Sequence, residues 1–81
     1  MEVVVVTGAG SGLGACVARR FSQGGARVIL LGRTRERLER TAESLSGESA
    51  VYPLDVSRKA QVEETFARIY QDEGTIHRLV N

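Results

Sequence analysis

Four consecutive valines, Val3 to Val6, run into the segment Gly8-Ala9-Gly10-Ser11-Gly12-Leu13-Gly14, where every second residue is glycine. A β-branched run of this kind fits a parallel strand buried on both faces. Leu13, Val17 and Phe21 then recur at four-residue spacing, with Ala15 and Ala18 between them, until Gly24-Gly25. That pattern predicts a helix with its apolar stripe turned inward. A strand passing into a helix through glycines admits few conformations. Gly8 permits a tight exit from the strand. Gly12 lets backbone amides approach an anion closely, and Gly14 lets the helix pack against the first strand. The first amides of the helix lack internal partners, and a phosphate group satisfies them. A tight strand-to-helix turn without ligand would use the same glycines, so the context on either side carries the argument.

Two other phosphate-binding turns are set aside by spacing. No Lys-Ser/Thr pair follows the glycines, which excludes the loop of nucleotide hydrolases. The common G-x-G-x-x-G spacing would put its third glycine on Leu13, counting from Gly8. Gly10 to Ala15 satisfies the looser G-x-G-x-x-A, but in a frame that starts two residues late relative to the strand.

The alternation continues along the chain. Arg27 to Leu31 reads as a second buried strand, and Thr34 as the N-cap of a helix turning Leu38, Ala42 and Leu45 inward, closed by Gly47. Ser49 to Leu54 is a third strand, where Pro53 favours the strand's end or a sheet edge. Ser57 is expected to cap a third helix with Val62, Phe66, Ile69 and Tyr70 on one face, ending near Gly74. Ile76 to Val80 forms a fourth strand. Strands alternating with helices require an α/β fold with a parallel sheet and right-handed crossovers. A chain of 81 residues allows one domain at most, and its last strand is expected to have an open edge, which reads as a truncated domain.

Composition narrows the function classes. A formal charge of +1 gives no electrostatic reason for a nucleic-acid or anionic-membrane partner. The Val3–Val6 run is too short to span a bilayer, and Glu2 after Met1 is not the basic start of a signal peptide. The single Cys16 fits a reducing cytoplasm and is expected to be a buried small residue beside the helix stripe. His77 is the only histidine and has no partner at catalytic spacing, so it reads as structural or exposed. No metal-ligand cluster is assigned.

Thr7-Gly8-x-x-x-Gly12-Leu13-Gly14 resembles the T-G-x-x-x-G-hydrophobic-G turn of the short-chain dehydrogenase/reductase family, and the resemblance extends over the whole chain. It implies a Rossmann-type parallel sheet of four strands in order 3-2-1-4 with three helices. Residues 1–81 would be the N-terminal half of a dinucleotide-binding domain, with Gly8, Gly10, Ser11, Gly12, Leu13 and Gly14 around the pyrophosphate. Leu79-Val80-Asn81 resembles the opening of the family's L-V-N-N-A-G segment, which adds Asn81 to the cofactor residues. His77 and Arg78 depart from the family's usual acidic-then-apolar pair, and Arg78 in an interior strand requires a solvent-accessible face. The resemblance further implies a homo-oligomeric parent acting on a small carbonyl or alcohol substrate.

In dinucleotide folds the residue ending the second strand, about 20 positions beyond the glycines, meets the adenosine ribose. That position falls on Gly32, so no acid is available for the free hydroxyls of NAD. Arg33 follows, then Thr34 with a hydroxyl and a helix-start amide, a combination suited to the extra phosphate of NADP. NADP is therefore expected rather than NAD. The competing reading makes Arg33 one solvated charge in the run Arg33-Thr34-Arg35-Glu36-Arg37. NADP-using members often carry a basic residue inside the glycine turn, where this chain has Ala9, Gly10 and Ser11. Leu54-Asp55-Val56 resembles the adenine-contacting segment, with the Asp55 carboxylate and the Val56 amide reaching the base. Helix capping is the rival role for Asp55.

The family's catalytic serine, tyrosine, lysine and second asparagine fall beyond Asn81, so no catalytic residue is assigned to this chain. Tyr52 lies on a strand, and Tyr70 has no lysine four residues later. The expected function is thus the NADP-binding fragment of an oxidoreductase, inert alone. The alternative is a stand-alone dinucleotide-binding or subunit-interaction module without catalysis. Double winding places two helices on one sheet face and one on the other, leaving apolar surface open. The isolated 81 residues are therefore expected to aggregate or to behave as a molten globule. A sharp two-state unfolding transition at monomeric concentration would overturn that expectation.

Overall fold

The computed structural model describes residues 1–81. Its elements are β1 (Val3–Val6), α1 (Gly12–Gln23), β2 (Arg27–Gly32), α2 (Arg35–Glu43), β3 (Ser49–Pro53), α3 (Lys59–Glu73) and β4 (Arg78–Val80). The strands form one parallel sheet in the order β3-β2-β1-β4. Chain order reverses at β1, and ligands of open α/β sheets bind beyond the carboxyl ends of the strands at such a reversal.

Strand alternation divides the core into two layers. Val4, Val6, Val28 and Leu30 face α1 and α2, where they meet Ala18 and Leu38 with Val17, Phe21 and Ala42 packed around them. Val3, Val5, Ile29 and Leu31 face α3 and meet Ile69, with Val62 and Phe66 alongside. Both layers bury valine, isoleucine and leucine completely in the two central strands, which explains why β1 and β2 read as continuous apolar runs. The single helix on the second face leaves β4 uncovered: Leu79, in register with Val5, is 54% exposed.

Several boundaries differ from the sequence reading. The third strand ends at Pro53, on an edge strand where a missing amide costs no ladder bond. Helix α2 stops at Glu43, because the Ser44 hydroxyl donates to Thr41 O at 2.6 Å and turns the chain before Gly47. Leu45 still packs on the core from beyond the helix. Ser57 does not cap α3. The helix begins two residues later, after Arg58, because Ser57 donates both its amide and its hydroxyl to Asp55 Oδ1. Thr34 does occupy the N-cap of α2, but its hydroxyl makes no capping bond. Leu13 and Tyr70 were expected to face inward and are 79% and 53% exposed. Leu13 belongs to the first helical turn, which projects past the carboxyl edge of the sheet, and Tyr70 sits one step round α3 from buried Ile69. Cys16 is likewise exposed rather than buried.

The fourth strand is confined to Arg78–Val80, and the residue before it pairs differently. His77 N–H donates to Val3 O at 2.9 Å, while Val3 N–H donates to His77 Nδ1 at 2.8 Å. An accepting Nδ1 places the proton of the neutral ring on Nε2. His77 is thus structural, as its lack of catalytic partners implied. Arg78 is exposed and pairs with exposed Glu2 at 3.0 Å, so the solvent-accessible face it required is present.

The C-terminal part of α3 is tied to β2 and β3 by polar contacts. Arg27 forks onto Glu73 and also meets Glu48, and these carboxylates hold its guanidinium above the ordinary arginine range. The half-buried Tyr52 hydroxyl donates to Asp72 Oδ2 at 2.8 Å, with the Arg68 guanidinium 5.7 Å from the ring centroid. Burial, then the bond to Asp72, pushes the phenol from 10.0 up to about 12. Because the folded state holds this proton more tightly than the unfolded chain, the associated stability is present below about pH 10 and lost as pH rises through the folded value. Tyr52→Phe is expected to flatten that alkaline arm and to remove the component near pH 12 from an absorbance titration of tyrosine.

Candidate functional site

Three backbone constraints shape the carboxyl edge of the sheet. Gly8 leaves β1 with φ +63, the left-handed region that disfavours a β-carbon. Gly14 lies so close that a Cβ there would stand 2.1 Å from Gly8 O. The contact is with the turn's own backbone, not with β1 as the packing role assigned to this glycine implied. Gly12 has nothing within 4 Å of a Cβ position, so the space beside its Cα is open. The first helical bond of α1 is Ala15 N–H to Ser11 O at 2.8 Å, which leaves the amides of Gly12, Leu13 and Gly14 without helical acceptors. Ser11 adds no side-chain cap, since its hydroxyl donates to Gly8 O at 2.9 Å. The result is a cluster of free N–H groups at the positive end of a helix, suited to an anion.

A cleft of about 580 Å³ opens from this turn toward β2 and β3. Gly8, Gly10 and Ser11 form one wall, while Gly32, Arg33 and Thr34 form the opposite one. Leu54 and Val56 supply an apolar side. Gly32 has a packing reason as well, because a Cβ there would stand 2.9 Å from Leu38 Cδ2. Arg33 is exposed and takes part in no ion pair, unlike Arg27, Arg35 and Arg78. Leu38 N–H to Thr34 O is the first bond of α2, so the amides at the start of this helix also lack helical acceptors.

Asp55 lies at the margin of the cleft. Its hydrogen bonds from the Ser57 side chain and amide lower its pKa below the ordinary carboxylate value, with Arg33 and Arg58 adding to the effect. Both bonds fall on Oδ1, and the aspartate is not the N-cap of α3. The capping alternative is therefore excluded as a helix cap and replaced by a local turn.

On the other side of the glycine turn lies a smaller cleft of about 260 Å³, bordered by Leu13, Gly14, Val17, Val80 and Asn81. Thr7 joins the two strands at its floor. Its amide donates to Val80 O at 2.9 Å, and its hydroxyl proton is shared between Val80 O at 3.2 Å and Asn81 Oδ1 at 3.1 Å. The candidate residues thus fall into two groups around one turn. Arg37 and Leu38, a surface charge and a core residue by sequence pattern, also line the larger cleft. The four-residue step from Arg33 to Arg37 was the available signal.

The short chain dehydrogenase family model matches residues 2–81. The chain belongs to this family. It is 41% identical over 81 residues to an uncharacterized oxidoreductase of Staphylococcus aureus, covering 99% of this chain and 35% of that protein. It is 40% identical over 79 residues to the NADP-dependent 3-hydroxy acid dehydrogenase YdfG of Escherichia coli, covering 98% of this chain and 32% of that protein. The chain therefore spans about a third of the length of these curated relatives.

Among solved structures, a citronellol catabolism dehydrogenase (AtuB) of Pseudomonas aeruginosa superposes with a TM-score of 0.96 at 38% identity, over 99% of this chain and 35% of that one. A metagenomic short-chain oxidoreductase in complex with NADP gives 0.93 at 31% identity, over 96% and 37%. An NAD+-bound xylitol dehydrogenase gives 0.92 at 33% identity, over 96% and 31%.

The two glycines at the turn separate fold from ligand. In the full-length protein carrying these residues, Gly14→Ala is expected to lower the melting temperature by several degrees, through the 2.1 Å approach to Gly8 O. Gly12→Ala is expected to leave the melting temperature within error while weakening dinucleotide binding. Thermal melts paired with fluorescence titration of the coenzyme measure both.

Proposed function

We propose that residues 1–81 are the adenosine- and pyrophosphate-binding half of an NADP-dependent short-chain oxidoreductase that interconverts a carbonyl and an alcohol by hydride transfer. The observation that carries this reading is the wall formed by Gly32, Arg33 and Thr34. No carboxylate closes β2, and an arginine free of any ion pair faces the cleft. A free guanidinium beside a helix start suits a phosphate on the ribose better than two hydroxyls, which call for an acceptor. The NADP complex of one solved relative and the NADP dependence of YdfG accord with it, while the xylitol dehydrogenase binds NAD+.

In this reading the free amides of Gly12, Leu13 and Gly14 hold the pyrophosphate with Gly8, Gly10 and Ser11 beneath it. Arg33 and Thr34 hold the ribose phosphate, and Leu54 and Val56 flank the adenine. The Asp55 carboxylate, kept ionised by Ser57, accepts from the adenine amino group. The smaller cleft, with Leu13 and Asn81 at its rim, leads toward the nicotinamide. NADP supplies or accepts the hydride when bound. The serine, tyrosine and lysine that handle the substrate proton come from chain beyond this segment, consistent with relatives about three times as long. The parent is a homo-oligomer in the cytoplasm, where the exposed, unpaired Cys16 thiol stays reduced.

In the full-length protein carrying these residues, Arg33→Ala is expected to raise the Kd for NADPH by about tenfold while changing that for NADH little. Equal losses for both coenzymes, or a wild-type protein preferring NADH, would refute the assignment.

A further inference from the structure

Helix α2 brings a second guanidinium to the cleft that holds Arg33. Arg37 lines that cleft beside Gly10, and its stem lies directly over the glycine turn: a Cβ on Gly10 would stand 2.9 Å from Arg37 Cβ. The backbone beneath it is anchored from both sides. The Thr41 hydroxyl proton is shared between Ala9 O at 2.9 Å and Arg37 O at 3.2 Å, and the next residue, Leu38, is fully buried against Gly32. The side chain itself is exposed.

Of the two arginines on α2 that take part in no ion pair, Arg37 and Arg40, only Arg37 lines the cleft. Arg35 pairs with Glu39 at 3.4 Å, but neither Arg33 nor Arg37 takes part in an ion pair. Two unpaired cations lining one cleft repel each other unless an anion lies between them. The glycine turn supplies no cation of its own, since Ala9 is fully buried and Gly10 lies beneath Arg37. One guanidinium engages two oxygens of a phosphate through its fork, leaving the third oxygen for a second donor.

We propose that Arg37 is the second cation of the ribose 2′-phosphate subsite, meeting the phosphate from the α2 side while Arg33 meets it from the end of β2. This rests on the NADP reading above. It makes α2, not the glycine turn, the source of the second positive charge. Arg37 is therefore a specificity-determining residue, and its anchorage by Thr41 and Leu38 sets where its guanidinium can reach.

The test uses adenosine 2′,5′-bisphosphate and 5′-AMP, which differ only in the 2′-phosphate, titrated by calorimetry into the full-length protein carrying these residues. Arg37→Ala is expected to weaken the bisphosphate about tenfold, leave 5′-AMP nearly unchanged, and weaken the bisphosphate further when combined with Arg33→Ala. Arg37→Lys is expected to recover part of the loss, because it keeps the charge without the fork. Equal weakening of both probes would make Arg37 a merely structural residue and overturn the proposal, as would no effect on either. If Arg33→Ala discriminates and Arg37→Ala does not, only the Arg37 assignment falls. If neither variant discriminates, the NADP reading falls with it.

Discussion

The approach of Gly14 to the Gly8 carbonyl is the contact on which the rest of this molecule depends. Backbone meets backbone where any β-carbon would collide, so α1 can start within one turn of the end of β1. That start aims the free amides of Gly12, Leu13 and Gly14 beyond the carboxyl edge of the sheet. Everything placed around the cleft takes its position from this turn. Two further glycines extend the principle to the neighbouring elements: Gly10 lets Arg37 of α2 lie on the turn, and Gly32 lets Leu38 pack beneath the end of β2.

Electrostatics divide the molecule into two ends. At the amino edge of the sheet, Arg27 is neutralised by Glu73 and Glu48, and farther along β3 the uncharged Tyr52 phenol hydrogen-bonds the Asp72 carboxylate. These contacts fasten α3 to β2 and β3 and leave little charge to attract a ligand. At the carboxyl edge, Arg33 and Arg37 are unpaired, and two helices begin with amides that lack helical acceptors. Two cations without ion pairs and two helix starts therefore line the cleft beside the point where strand order reverses. A negatively charged ligand with two phosphate groups matches that distribution.

Much of this was readable from residue order. The β-branched runs marked the central strands because those strands are buried on both faces, and the glycine spacing marked the turn because few other residues tolerate its geometry. Pro53 pointed to a strand's end or a sheet edge through its missing amide, and it lies at both. Other features depended on partners distant in sequence. Ser57 had the chemistry of a helix cap, yet Asp55 captured its amide and hydroxyl first. Leu13 and Tyr70 matched a helical stripe, but a stripe says nothing about where the sheet beneath it ends. His77 gained a role only when the fold brought its Nδ1 to the Val3 amide.

The sequence by itself determined the alternation of strands and helices, the family, and the absence of an acid at the end of β2, because each depends on residue type at short spacing. Tertiary structure decided which arginines are free. Of the ten arginines, the approach of Glu73, Glu48, Glu39 and Glu2 pairs Arg27, Arg35 and Arg78, and of the seven left unpaired only Arg33 and Arg37 line the larger cleft. The local turn at Asp55 and the seating of Arg37 over Gly10 likewise arise where separate segments meet, through distances that residue order does not encode locally.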